Sequence, residues 1–148
     1  MENELKEMCL NFLDENNFNS FKVAEWKDLT EKNSIDLIEY DRLVLYFATQ
    51  LNNSGVYQSN NKISPNFLYE IQTAVYCKLK DESFKAKMNM FIQFGTIHVS
   101  ELLADFIGQD SPIFITFCAF VFMEIYLVGI DAWCRYYKDR IEIKEDGK

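Results

Sequence analysis

The sequence contains few of the residues that form turns between β-strands. Of its 148 residues only two are proline and five are glycine, and no Asn-Gly pair marks a hairpin. Apolar residues instead recur at three- and four-residue steps along most of the chain, which is the spacing of one helix face. We therefore predict an all-α fold. We also predict a single compact domain, because a chain of this length can bury one core.

The sequence also lacks the motifs of common catalytic and metal sites. Its one histidine, His98, is not accompanied by a Gly-x-Ser-x-Gly motif, and neither a Cys-x-x-Cys pair nor a glycine-rich phosphate loop occurs. We expect His98 to lie on a helix surface with Glu101 as its neighbour. The sequence thus predicts a protein that is not an enzyme and that holds no metal or cofactor.

Basic charge is scarce as well. The formal net charge is -8, and both the first 38 residues and the remainder are acidic, which argues against nucleic-acid binding. The four cysteines form no close pair, and no secretory leader precedes them, so we expect reduced, mostly buried thiols in an intracellular protein. They are Cys9, Cys77, Cys118 and Cys134.

Residues 1–38 are predicted to form an N-terminal accessory segment, followed by a helical bundle over 39–148. The first segment has an apolar face made by Leu5, Met8, Cys9, Phe12 and Leu13, which indicates a short helix. The less regular apolar residues that follow are compatible with a second short helix or with an extended arm. These residues are Phe18, Phe21, Trp26 and Leu29.

The bundle itself is predicted from apolar stripes and from helix start and stop signals. Gly55 is suited to end one helix, and Ser64-Pro65 and Ser111-Pro112 are suited to begin two others. Two apolar stripes mark the helix that ends near Gly55 and the helix that begins near Ser64. The first stripe is Leu43, Val44, Phe47, Ala48 and Leu51, and the second is Leu68, Ile71, Val75 and Leu79.

The run from Pro112 to Ile130 is apolar except for Glu124. It reaches the length of about 18 residues at which a membrane-spanning helix is considered. A helix that is apolar all round is otherwise the central helix of a globular bundle, and the acidic flanks Asp110 and Asp131 favour that interpretation. The integral-membrane alternative predicts a protein that requires detergent.

Three segments resemble the Bcl (B-cell lymphoma) family of apoptosis regulators. Phe91-Ile92-Gln93-Phe94-Gly95-Thr96-Ile97 resembles its first homology motif, an apolar residue followed by Asn-Trp-Gly-Arg-Ile. Tyr40–Tyr57 is similar to the family's first helix, and Asp131-Ala132-Trp133 resembles the tryptophan-bearing second motif. The resemblance covers residues 40–140 and leaves residues 1–38 outside.

The resemblance implies a Bcl-like bundle in which helices at 94–107 and 112–130 form an apolar central hairpin surrounded by amphipathic helices. It also implies a prosurvival function, in which the death-motif (BH-three) helix of a pro-apoptotic Bcl-family protein is sequestered in an apolar groove. Gly95 would let the partner backbone approach closely, although glycine at a helix junction also serves backbone geometry. The implied groove residues are Leu68, Ile71, Val75, Phe84, Met88, Phe91, Gln93, Phe94, Gly95, Thr96, Val99, Leu102 and Phe106.

Alternatives within this resemblance stay open. Large DNA viruses encode short, divergent relatives of this fold, and some have a closed groove and inhibit innate immune signalling through another surface, often as homodimers. The groove could equally be filled by residues Leu5 to Leu29 or by a second copy of the chain. We expect a cytoplasmic protein, recruited to mitochondria only through a partner, since the polar tail Glu142–Lys148 holds no anchor.

Thr96 stands where the family carries an arginine that pairs with an aspartate of the partner helix. Its hydroxyl group cannot neutralise that charge, so we expect weaker binding and a narrow partner range. Thr96→Arg should restore a charge-assisted hydrogen bond of about 1.5–3 kcal/mol, which is about a tenfold or greater gain in affinity. Calorimetric titration with partner-helix peptides measures this gain, and unchanged affinity for every peptide would remove Thr96 from the site.

Overall fold

The structure is a computed structural model that describes residues 3–53, 66–106 and 112–146. Within these residues it contains eight α-helices and no strand, which confirms the all-α prediction. The predicted signals Gly55, Ser64-Pro65 and Ser111 lie outside the described residues. The helices are α1 Glu4–Glu15, α2 Ser20–Glu31, α3 Leu37–Asn53, α4 Phe67–Lys78, α5 Glu82–Phe94, α6 Val99–Ala104, α7 Pro112–Val128 and α8 Ile130–Asp146.

Helix α7 is the centre of the bundle. Every residue from Phe117 to Ile125 is buried, and α1, α3, α4, α6 and α8 all pack against this helix. The apolar run in the sequence is therefore the helix around which the core forms. In the described part of the chain no single helix is long and apolar enough to cross a membrane, and α7 and α8 reach that threshold only as a pair bent by 117°.

Helices α3 and α4 bury the stripes predicted for them. All the stripe residues, from Leu43 to Leu51 on α3 and from Leu68 to Leu79 at α4, lie in the core. Tyr40 adds a polar connection, because its hydroxyl group donates a 2.7 Å hydrogen bond to the Phe120 carbonyl of α7. The three- and four-residue periodicity thus predicted the inward faces of both helices correctly.

The first 38 residues contribute two helices, so the extended arm is excluded for α2. Asn3 and Asn19 cap α1 and α2, each side chain accepting hydrogen bonds from two backbone N–H groups of the first turn. Leu5, Cys9 and Leu13 of α1 are fully buried in the same core as α7. Helix α1 therefore belongs to the core. Burial of one large aliphatic side chain contributes about 1.5–3 kcal/mol to the free energy of unfolding.

The first half of the predicted hairpin, a helix over 94–107, does not form as one helix. Gly95 adopts a left-handed conformation (φ 62°, ψ 24°) and ends α5, where its N–H group donates a 3.0 Å hydrogen bond to the Phe91 carbonyl. A separate helix of six residues, α6, then begins at Val99. Gly95 thus has a conformational role, because residues with a Cβ atom rarely adopt this backbone geometry.

Gly95→Ala should lower the free energy of unfolding by about 1–2 kcal/mol, which is the cost of the left-handed conformation for a residue with a Cβ atom. Gly95→Asn is the matched control at the same position. Because asparagine tolerates this geometry, this variant should lose less stability than Gly95→Ala. Urea-induced unfolding measures both variants. Equal stability of the glycine, alanine and asparagine proteins would contradict this role of Gly95.

Candidate functional site

The structure divides the thirteen predicted groove residues into two groups. Nine are in the core, and none of them is more than 5% exposed: Leu68, Ile71, Val75, Phe84, Met88, Phe91, Val99, Leu102 and Phe106. The other four, Gln93, Phe94, Gly95 and Thr96, are exposed where α5 ends. These nine side chains pack in the interior of the bundle, and one of them, Phe91, also borders a surface pocket.

A surface pocket of about 260 Å³ lies between the end of α5, the start of α1 and the second half of α7. We call it the α5–α7 pocket. It brings together four predicted residues, but Thr96 is not among its lining residues. The pocket is lined by Asn3, Glu4, Phe91, Ile92, Gln93, Phe94, Gly95 and Tyr126.

Aromatic and aliphatic side chains line part of this pocket. The rings of Phe91 and Tyr126 lie 5.8 Å apart and connect α5 to α7. Phe94 is 60% exposed and Met90, one turn earlier on α5, is 42% exposed. Exposed apolar side chains beside a pocket are typical of surfaces that bind another protein.

Glu4 forms the opposite wall and fastens α1 to the turn after α5. Its carboxylate accepts a 3.2 Å hydrogen bond from the Val99 backbone N–H group and lies 3.3 Å from Nδ1 of His98. His98 lies at the N-cap position of α6, where its carbonyl oxygen accepts a 3.0 Å hydrogen bond from the backbone N–H group of the expected neighbour Glu101, while its side chain contacts Glu4 of α1. Sequence spacing could not show this contact between residues 94 positions apart.

The chemistry of the pocket suits binding. Its charged side chain is Glu4, and Gln93 adds an amide group that can donate and accept hydrogen bonds. Across the described residues, no group of three or more His, Cys, Asp or Glu side chains is arranged to hold a metal ion. The pocket is therefore suited to one or two apolar side chains of a partner with polar or basic groups around them.

A second polar feature, which sequence reasoning missed, is buried between α3, α4, α7 and α8. Gln72 donates 3.1 Å hydrogen bonds to both carboxylate oxygens of Asp41 and a 3.3 Å bond to Glu124. Arg140 donates to Asp41 at 2.7 Å and to the Gln72 carbonyl oxygen at 2.6 Å, and the Tyr136 hydroxyl group donates to Asp41. We call these five residues the polar network. The sequence offered one indication of the polar network, which is the single charged residue Glu124 in an otherwise apolar helix.

Glu124 is the unusual member of the polar network. It is fully buried, and one of its carboxyl oxygens has no hydrogen-bond partner, while the Trp133 indole N–H approaches it without hydrogen-bond geometry. Burial raises the pKa of Glu124 well above its ordinary value, and the nearby Asp41 carboxylate raises it further. We infer that Glu124 is neutral in the native protein, while Arg140 lies 2.7 Å from the Asp41 carboxylate in an ion pair.

In comparisons with known proteins, the chain matches no protein-family model, no curated protein and no solved structure. The similarity to the Bcl family therefore rests on the motif residues given above.

Glu124→Gln should flatten the pH dependence of stability. With a raised pKa, native Glu124 retains a proton that the unfolded chain releases above its ordinary pKa of 4.5. The free energy of unfolding therefore falls as pH rises above that value, by about 1.4 kcal/mol per pH unit while the proton difference lasts. The amide can keep the hydrogen bonds, so the variant should gain stability relative to the wild type as pH rises.

Urea-induced unfolding between about pH 5 and pH 8 measures the difference. Glu101→Gln, the same substitution at an exposed position of α6, is the control and should follow the wild type. Parallel curves for the Glu124 variant and the wild type would show that Glu124 is ionised in the native protein.

Proposed function

We propose that this protein is a non-enzymatic inhibitor of apoptosis that binds the BH-three helix of a pro-apoptotic Bcl-family protein at the α5–α7 pocket. The family resemblance suggests the class of partner. The observation that supports the site is Phe94, a phenylalanine that is 60% exposed at the mouth of a pocket. Burial of an exposed aromatic side chain of this size by a partner contributes a large part of the binding free energy.

The shape of the surface suits a helical partner. Met90 and Phe94 lie four residues apart on α5, so they form a short apolar stripe on one face of the helix. Amphipathic helices bind such surfaces through apolar anchors at helical spacing. One anchor would enter the pocket beside the Phe91–Tyr126 pair, and the next would cover the stripe.

Charge restricts the partner further. The chain carries a net charge of -8 and Glu4 lies in the pocket wall, so lysine or arginine beside the anchors would be favoured. Thr96 cannot pair with an aspartate of the partner, but the Gln93 amide group can donate a hydrogen bond to it. We expect a narrow set of partners that combine apolar anchors with basic flanks.

The second candidate function is inhibition of innate immune signalling through another surface, as in viral relatives with a closed groove. It is favoured by the burial of nine predicted groove residues and by Phe21, which is 82% exposed on α2. Ile38 of α3 is exposed as well. A partner bound at Phe21 on α2 would leave the α5–α7 pocket free.

Phe94→Asp should weaken binding of a BH-three peptide by about thirtyfold or more, the loss expected for an aromatic hot spot. The measurement is calorimetric titration of the purified protein with peptides of about 25 residues, each covering one partner helix. Phe21→Asp is the matched control, because it makes the same change at an exposed phenylalanine outside the pocket.

The two variants and the wild type distinguish the candidates. Binding that is lost in Phe94→Asp and kept in Phe21→Asp supports the α5–α7 pocket. No binding of any peptide to the folded wild type would contradict the prosurvival function and leave the immune-signalling candidate. Loss in Phe21→Asp alone would move the partner site to α2.

A further inference from the structure

The α5–α7 pocket is too small for a whole partner helix. Its volume of about 260 Å³ is below the range of about 300–1,000 Å³ that is typical of small-molecule sites, so it holds only one or two side chains. Asn3 and Glu4, which begin α1, form its wall on one side. A longer helix that started in the pocket and followed α7 would therefore meet α1.

Helix α1 lies antiparallel along α7. Its first residues meet Tyr126 at the pocket, while the ring of Phe12 packs 5.6 Å from Phe117 and 6.1 Å from Phe120, nearer the start of α7. The contacts therefore run in opposite directions along the two helices. The surface of α7 that continues from the pocket is the surface that α1 covers.

The apolar face of α1 has the spacing of a bound amphipathic helix. Leu5, Cys9 and Leu13 follow one another at four-residue steps, and all three are fully buried. Recognition of a helix in a groove uses anchors at this spacing. The bundle thus already contains one amphipathic helix in a groove with α7 as its floor.

We propose that α1 is a resident occupant of the partner groove and that a partner helix binds by displacing it. This inference rests on the proposed function and concerns the regulation of the same site. The partner would present aliphatic side chains at four-residue steps along α7, with its first anchor in the α5–α7 pocket. Displacement would extend a shallow pocket into a groove the length of α1.

The charges favour exchange of α1 for a less acidic helix. Residues 4–15 contain four acids and one base, a net charge of -3, which leaves -5 of the total -8 on the rest of the chain. The polar contacts of α1 with other parts of the bundle include the exposed 3.0 Å ion pair of Lys6 with Glu31 and the contacts of Glu4 with His98 and Val99. A partner with a basic polar face would replace repulsion with attraction.

The connection between α1 and α2 is the point at which α1 can rotate away from the bundle. Asn17 has a left-handed conformation (φ 54°) in the connection to α2. Phe18, the next residue, packs its ring 5.1 Å from that of Phe47 on α3. Rotation at Asn16 and Asn17 would release α1 while Phe18 and α2 stay in place.

Cysteine alkylation in the full-length wild type tests this proposal. Burial raises the pKa of Cys9 and makes its thiol unreactive, so displacement of α1 should expose a new reactive group. At saturating BH-three peptide, the rate of Cys9 modification by iodoacetamide should rise by about tenfold or more. Peptide mapping by mass spectrometry reports each cysteine separately.

Two other cysteines serve as internal controls. Cys118 in α7 is fully buried, and burial raises its pKa to about 12, while Cys134 lies on α8. The alkylation rates of both cysteines should stay unchanged, because the partner would cover α7 in place of α1. A joint rise of Cys9 and Cys118 would indicate global unfolding and overturn the proposal.

Calorimetry on the same samples separates this inference from the proposed function. Peptide binding with unchanged Cys9 reactivity would overturn displacement and leave the function intact. No binding of any peptide would overturn the function and, with it, the displacement by such a helix.

A pair of variants tests the same proposal without peptide. Glu4→Gln removes the charge that holds the start of α1 to Val99 and should raise Cys9 reactivity by about threefold. Glu15→Gln makes the same change at the other end of α1 and should leave the rate unchanged. Equal rates in both variants and the wild type would show that Glu4 does not hold α1 in place.

Discussion

Helix α7 has apolar side chains on every side, so each of its faces must be covered by another helix. This requirement determines the arrangement of the bundle: α1 and α4 provide the most extensive cover, and α3, α6 and α8 complete it. Each of these helices needs an apolar stripe only on the side that faces α7. The acidic and polar residues are then left for the surface, where a partner would meet them.

Glu124 is the exception within this apolar helix, and the polar network makes its burial tolerable. Gln72 and Arg140 bring α4 and α8 to the carboxyl groups of Glu124 and Asp41, so four helices meet at one set of hydrogen bonds. Apolar packing alone permits small shifts of one helix along another. Directional bonds between charged and amide groups specify one alignment, which is the role we infer for this network.

The sequence was sufficient for features that depend on neighbours along the chain. The stripes of α3 and α4 follow from helical periodicity, and the burial of α7 follows from its composition. The sequence left the role of Gly95 open between close approach of a partner and a helix junction, since the apolar period continues through it and only the backbone conformation shows the end of α5. The contact of Glu4 with Val99 and the pairing of Asp41 with Arg140 join residues far apart in sequence, and spacing carries no information on such contacts.

The placement of α1 against α7 has a consequence for how the chain folds. Helix α1 has its binding surface on a helix made about a hundred residues later, so it cannot bury Leu5, Cys9 and Leu13 until α7 has been synthesised. Contacts between such distant segments close large loops and form late. The nascent chain therefore exposes the apolar stripe of α1 until α7 has been made, and the contact between these two helices forms late.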